Sequence, residues 1–300
     1  MQEFDILIIG GSYAGLSAAM ALGRARRRVL ILDTGRPCNR QTPHSHNFLT
    51  QDGATPAALR ARAIEQVLQY PTIELRADEA LTAASVEGGF RIETAAGTSI
   101  KARKVVLATG ITDMLPALPG FAECWGISVL HCPYCHGYEV ADQRLGVLGN
   151  GDVGFEFARL IRQWSAQLTL FTDGPATLTE SQRATLARHL VGVVETPIRG
   201  LAHDQGQLRA VQLADGSSYP LDGVFARVPF ALPGTLAQQL GCAITEMGYV
   251  QVDDFQRTSV AGVYAAGDNT TPMRAVAAAV AAGSKAGAVL NKELIDESFT

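Results

Sequence analysis

Cys132-Pro-Tyr-Cys135 is the stretch of this 300-residue chain best equipped for chemistry. Two cysteines two residues apart can close into a small, reversible disulfide, and a leading cysteine with a lowered pKa is a nucleophile near neutral pH. His131 and His136 adjoin the pair. A structural zinc site wants four ligands, usually completed by a second Cys or His pair. No second CxxC exists, so the spacing reads as redox-active thiols and no metal site is expected. His44 and His46 stand at i and i+2 in Pro43-His44-Ser45-His46-Asn47-Phe48, but no acidic or thiol partner is near them in the sequence.

The elements that must position these residues are β-turn-α-β units. Phe4 to Gly10 is a short apolar strand that runs into Gly10-Gly11-Ser12-Tyr13-Ala14-Gly15. Leu16 to Arg28 has helical periodicity, and Val29 to Leu32 is a second strand ending at Asp33. Such a turn brings backbone N–H groups and a helix N-terminus to a pyrophosphate, and the acid after the second strand suits a ribose hydroxyl. Ser12 replaces the usual middle glycine, a mild departure because a small side chain still permits close approach. A second unit begins at Leu145 with Gly149-Asn150-Gly151-Asp152-Val153-Gly154, then helix-like Phe155 to Trp164 and the strand Leu168 to Phe171. A third nucleotide-like feature is Gly262-Val263-Tyr264-Ala265-Ala266-Gly267-Asp268, ahead of an alanine-rich helix. Between the first two units, glycine turns at Gly88-Gly89 and Gly97 predict a β-meander. Lys104 to Gly110 reads as a separate buried strand closing on Ala108-Thr109-Gly110, and Pro116, Pro119 and Gly120 suggest a linker.

Composition narrows the function classes. Hydrophobic residues make up 47% and charged residues 18%, as in a globular chain. A net charge of −4 gives no electrostatic case for nucleic acid or an anionic membrane surface. The N-terminus lacks a basic n-region and a small-residue cleavage site, and no apolar run approaches a membrane span. A cytoplasmic address is the expectation, and five cysteines there argue against a static disulfide framework. Cys38, Cys124 and Cys242 are expected to pack.

The order Gly10 to Gly15, Asp33, Ala108-Thr109-Gly110, the CxxC, a second glycine-rich unit and Gly267-Asp268 resembles the low-molecular-weight thioredoxin reductases over nearly the whole chain. Cys132 to Glu139, Cys-Pro-Tyr-Cys-His-Gly-Tyr-Glu, is similar to the branch holding dithiol oxidases and nucleotide-independent thioredoxin reductase-like flavoenzymes. The resemblance implies an α/β fold of two Rossmann-like three-layer domains, with the meander in the FAD domain. The FAD domain would comprise residues 1–114 and 244–300, and the CxxC-bearing NAD(P)-binding-like domain residues 115–243. It also implies a homodimer. FAD contacts are expected from Gly10, Ser12, Tyr13, Ala14, Gly15, Asp33, Thr34, Gly35, Arg40, Asn47, Ala108, Thr109, Gly110, Gly267, Asp268, Arg274, Ala275 and Val276. By the same resemblance Cys135 faces the flavin and Cys132 exchanges with a dithiol. His136 takes the place where the family commonly has an acid, and an imidazole can serve there as acid and base. The loop around His44 and His46 is expected at the flavin, with the Asn47 amide reaching the ring.

One departure bears on the electron source. NADPH-dependent relatives place a His-Arg-Arg motif after the second β-α unit, whereas this chain has Phe171-Thr172-Asp173-Gly174. No arginine fork is present for a 2′-phosphate, and Asp173 would repel one. NADPH is therefore not expected, and NADH is left open. The expectation is an FAD-dependent dithiol–disulfide oxidoreductase acting on a thioredoxin-like protein or a small dithiol; the alternatives are an NAD(P)H-dependent thioredoxin-disulfide reductase and a non-enzymatic flavin redox sensor. Oxygen or an electron-transfer protein would be the other redox partner.

Overall fold

The computed structural model describes residues 2–299. They form two compact units: residues 2–40, Asn47–Thr112 and residues 230–299 in the first, Gln41–His46 and Asp113–Pro229 in the second. The second unit ends at Pro229, earlier than the expected boundary at 243/244. The reason is burial: Leu236, Ala237, Leu240 and Cys242 enter one apolar core with Ile92, Ile100 and Val263. The Gln239 side chain also accepts from the Ala83 N–H at 2.8 Å.

The first unit carries a seven-stranded sheet: six strands in the order Ile73–Ala77, Val29–Asp33, Gln2–Ile9, Ser99–Leu107, Gly89–Thr94, Ala80–Val86, and Val263–Ala265 beside Ser99–Leu107. Of the six, the first four run parallel and the last two turn back as the meander. Ile6, Leu7, Ile8 and Ile9 are all buried, as a central parallel strand covered on both faces requires. Each contributes roughly 1.5–3 kcal/mol of transfer free energy. Ser99–Leu107 is one nine-residue strand, where the sequence reads as two pieces. Its first half pairs antiparallel with Gly89–Thr94, and its second half pairs parallel with Val263–Ala265.

Helix Tyr13–Arg24 buries Ala14, Gly15, Leu16, Ala18, Ala19 and Leu22. The long helix Val276–Ser298 lies against it, backbone to backbone. A Cβ built on Gly283 would fall 2.0 Å from the Ala14 carbonyl oxygen. Further along, Tyr264 donates its hydroxyl to Glu293 at 2.5 Å, and Lys104 pairs with both Glu293 and Glu297.

The second unit has a five-stranded parallel sheet, ordered Gly192–Val194, Leu168–Phe171, Leu145–Leu148, Gly223–Ala226, Val129–Leu130. An antiparallel sheet of Ile198–Asp204, Gln207–Leu213 and Ser218–Pro220 belongs to the same unit. Among the described residues, no helix is long and apolar enough to cross a membrane.

Candidate active site

In the second unit, Cys132 and Cys135 form a disulfide with their Cα atoms 5.3 Å apart. Local backbone sets this up. Cys132 is the extended N-cap of the short helix Pro133–His136, and Pro133 occupies the first helical position, where a missing N–H costs nothing. The Cys132 carbonyl accepts from the N–H groups of Cys135 and His136, both at 3.2 Å. Trp164 backs the turn: its ring meets the edge of Tyr134 at 5.5 Å, and a Cβ on Gly137 would fall 2.7 Å from its Nε1.

His136 follows the disulfide directly and is half-buried. Burial pushes its imidazole below the ordinary value; Glu139 opposes that shift and His46 adds to it. His46 Nε2 lies 3.4 Å from Glu139 Oε1, and its ring is edge-on to His136 at 6.3 Å between centroids. The sequence shows no acid close to the His44–His46 pair, and the fold supplies one. The segment Gln41–His46 groups with the CxxC unit, so Glu139 reaches His46 through the fold. Among the described residues, no cluster of three or more metal-type ligands occurs.

In the first unit, the glycine turn and its neighbours assemble at one end of the parallel strands. Gly10 has φ +110° and presses against Ala108, whose carbonyl oxygen a Cβ there would overlap. Asp33 Oδ1 accepts from the Gly11 N–H at 3.0 Å, and Arg60 pairs with Asp33 through its guanidinium. Ser12 caps helix Tyr13–Arg24 without a side-chain hydrogen bond, and the first turn holds no acid. Gly267 lies against Ala14, and Asp268 stands 3.7 Å from Cys38 Sγ and 4.0 Å from Arg274 Nε. Ala275 is the extended N-cap of helix Val276–Ser298, again with no side-chain cap. Thr34, Gly35 and Arg40 continue from Asp33 as an exposed loop. Asn47 is exposed in a left-handed conformation at φ 59°, with its N–H held by Asp52 at 2.7 Å.

Arg60 was not visible in the sequence as a site residue. It lies on helix Pro56–Leu68 and meets Asp33 only through tertiary packing, so no local signal marks it. Two buried polar atoms at this end, Arg60 Nε and Asn269 Oδ1, meet no hydrogen-bond partner among the described residues. Buried polar groups left so are costly, and a polar ligand would complete them. The uncapped helix start and these two atoms fit a dinucleotide such as FAD.

The model of the pyridine nucleotide-disulphide oxidoreductase family matches residues 4–283. This chain belongs to that family. It is 34% identical to thioredoxin reductase sirT of Leptosphaeria maculans, over 96% of this chain and 93% of that protein. It is also 34% identical to thioredoxin reductase tcpT of Claviceps purpurea, over 97% and 94%. An oxidoreductase from Agrobacterium tumefaciens superposes with a TM-score of 0.92 at 39% identity, over 98% of this chain and 99% of that one. The chain is therefore a thioredoxin reductase-like oxidoreductase acting on sulfur groups, and its family implies FAD.

Proposed function

We propose that this protein is an FAD-dependent dithiol–disulfide oxidoreductase that exchanges electrons with thiols and does not use NADPH. The observation that carries the reading is the loop after strand Leu168–Phe171. Asp173 sits there at φ 50°, and its Oδ1 accepts from the Ile198 N–H at 2.6 Å. Its carboxylate is thereby fixed where a 2′-phosphate would need cations. Arg183 does not compensate: its guanidinium is held by Glu195 at 2.8 Å and by the Ala176 carbonyl at 3.2 Å.

The cysteine pair accounts for the thiol half. A substrate thiolate attacks Cys132 Sγ, the Cys132–Cys135 bond breaks, and Cys135 leaves as the thiolate. The second substrate thiolate then attacks the substrate sulfur of the mixed disulfide and releases Cys132. One substrate disulfide forms and one protein disulfide is reduced, a two-electron exchange. His136, kept neutral by burial, accepts a proton as the substrate thiol ionises and returns it to a departing sulfur. FAD, when bound, would supply a two-electron acceptor for the reduced Cys132–Cys135 pair, with oxygen or an electron-transfer protein as the partner beyond it.

The residues that would hold FAD are Gly10 to Gly15 with the start of helix Tyr13–Arg24 for the pyrophosphate. Asp33 with Arg60 would serve the ribose, Asp268 the ribityl chain, and Ala275-Val276 at a second helix start the ring. Thr34, Gly35, Arg40, Asn47, Ala108, Thr109, Gly110 and Arg274 complete the proposed contact set, and the protein acts as a homodimer in the cytoplasm. A thioredoxin-like protein or a small dithiol is the substrate.

The test is anaerobic mixing with NADPH, NADH or a dithiol while following the flavin band. Bleaching by dithiol alone, reversed by air, is expected. Rapid bleaching by micromolar NADPH would make this a pyridine-nucleotide thioredoxin reductase instead.

A further inference from the structure

The second glycine turn is built like a dinucleotide site, yet its own side chains fill the position. Asn150 is the N-cap of helix Gly151–Ile161. Its Oδ1 accepts from the Gly151 N–H at 2.8 Å, from the Thr177 N–H at 2.8 Å and from the Thr177 hydroxyl at 3.2 Å. Its Nδ2 donates to the carbonyls of Thr172 at 3.3 Å and Pro175 at 3.0 Å. One carboxamide thus stitches the loop from Thr172 to Thr177 across the helix start. Thr177 sits so close that a Cβ on Gly151 would fall 2.8 Å from its hydroxyl oxygen.

A dinucleotide pyrophosphate binds by taking those N–H groups and that space, and it favours the positive end of the helix dipole. Here the first turn also carries Asp152, whose Oδ1 accepts from Gln182 Nε2 at 2.7 Å. A fixed carboxylate therefore stands at the helix end where the phosphates would come. The contrast with the first turn is internal to the chain: Ser12 makes no side-chain cap, and no acid follows it. The glycines themselves do not argue for a ligand. A Cβ on Gly154 would lie 2.6 Å from the Gly149 carbonyl carbon, so the turn needs both to pack on its own helix.

We infer that Asn150, with Thr177, closes this turn to every pyridine dinucleotide, NADH as well as NADPH. The residues present do not fit the nucleotide that the family's description implies. This inference rests on the thiol-only reading and extends it. Asp173 acts only against a 2′-phosphate, whereas Asn150 blocks the pyrophosphate that both nucleotides share.

The probe is ADP-ribose, which carries the pyrophosphate and no reducible ring, titrated calorimetrically into the flavin-loaded protein. Wild type should show no binding tighter than about 1 mM. The double variant Asn150→Gly, Thr177→Ala should bind ADP-ribose at least about tenfold more tightly, with a lowered Tm from the lost stitch. If that variant has no cooperative melting transition, Asn150→Ser, which keeps a cap but cannot span to the loop, replaces it with the same expectation. Binding of ADP-ribose by wild type below about 100 μM would overturn the inference. So would a folded variant that binds no more tightly than wild type. Neither result bears on the thiol-only reading, which is decided separately by flavin bleaching.

Discussion

Glu139 Oε1 lies 3.4 Å from Nε2 of His46, and that imidazole stands edge-on to His136 beside the disulfide. The two neighbours push His136 in opposite directions: Glu139 favours its cation and His46 disfavours it, while burial disfavours it most. His136 is therefore the proton acceptor already deprotonated at neutral pH.

The first prediction is a pH profile. Disulfide reduction by a dithiol should lose rate on acidification only below the ordinary imidazole range of about 6.5. Glu139→Gln should move that limb to lower pH, and His46→Gln should move it to higher pH. His136→Ala should slow the step by roughly 10²-fold or more. Stopped-flow between pH 5 and 9 checks all three; a profile unmoved by any of them would leave the cluster structural. The linkage has a definite sign: a depressed histidine costs stability as pH falls from its unfolded value toward its folded one.

The second prediction concerns which sulfur does what. In denaturant, oxidised protein should titrate three thiols, those of Cys38, Cys124 and Cys242, and five after reduction. Cys132→Ser leaves Cys135 as a thiol and should give long-wavelength thiolate–flavin absorption, whereas Cys135→Ser should not. The reverse pattern would exchange the two roles.

The third prediction is about the helix that closes the first unit. Lys104 is nearly buried and pairs with Glu293 and Glu297, and Glu293 also accepts from Tyr264. Burial alone would raise the Glu293 carboxyl, but Lys104 and Tyr264 outweigh it and hold it below the ordinary value. Burial and the Glu293 bond push Tyr264 far up. The Glu293 contribution should thus be present above about pH 4.3 and lost as pH falls through the lower folded value. Lys104→Met should cost about 1–3 kcal/mol in urea unfolding, because it takes the cation from the part-buried Glu293 carboxylate and leaves it with the Tyr264 hydroxyl, while Glu297 keeps Arg103. Glu293→Gln should flatten the acid limb of the stability curve.

Lys104 also shows where the sequence misled. Lys101, Arg103 and Lys104 precede the apolar Val105 to Leu107, so the strand Ser99–Leu107 reads as two pieces, yet the Lys104 charge is absorbed by a helix almost two hundred residues later. The glycine turns, the meander turns and the CxxC were legible because backbone chemistry dictates those residue types locally. Arg60 beside Asp33 and Glu139 beside His46 were not, since each pair meets only through tertiary packing. Asn150 falls at a position that the glycine fingerprint leaves unspecified, so only its five hydrogen bonds reveal what it does. The boundary at Pro229 depends on which core takes Leu236 and Leu240, and both are merely apolar in sequence.

The fourth prediction tests the helix contact under the first glycine turn. Gly283→Val would drive a side chain into the Ala14 backbone, 2.0 Å from its carbonyl oxygen even at Cβ. Backbone cannot yield as a flexible side chain does, so the helices must separate at a cost of about 1–3 kcal/mol. Ala14 lies inside the glycine turn, so FAD retention on gel filtration should fall together with Tm. Loss of stability with full flavin occupancy would separate the helix contact from the cofactor turn.

The fifth prediction isolates Asp268. Its carboxylate stands 3.7 Å from Cys38 Sγ and 4.0 Å from Arg274 Nε, next to the tight turn at Gly267 with φ +97°. If this acid holds the ribityl hydroxyls, Asp268→Ala leaves a buried polar contact unmade and should cost about 1–3 kcal/mol of FAD affinity. That corresponds to a roughly 5- to 150-fold rise in Kd. Asp268→Asn keeps an acceptor of the same shape and should recover most of it. The control is Cys38→Ala, which removes the thiol neighbour and should leave FAD binding unchanged. Fluorescence titration of apoprotein with FAD reads all three, and an Asp268→Ala protein that binds FAD as wild type does would assign the acid to local structure alone.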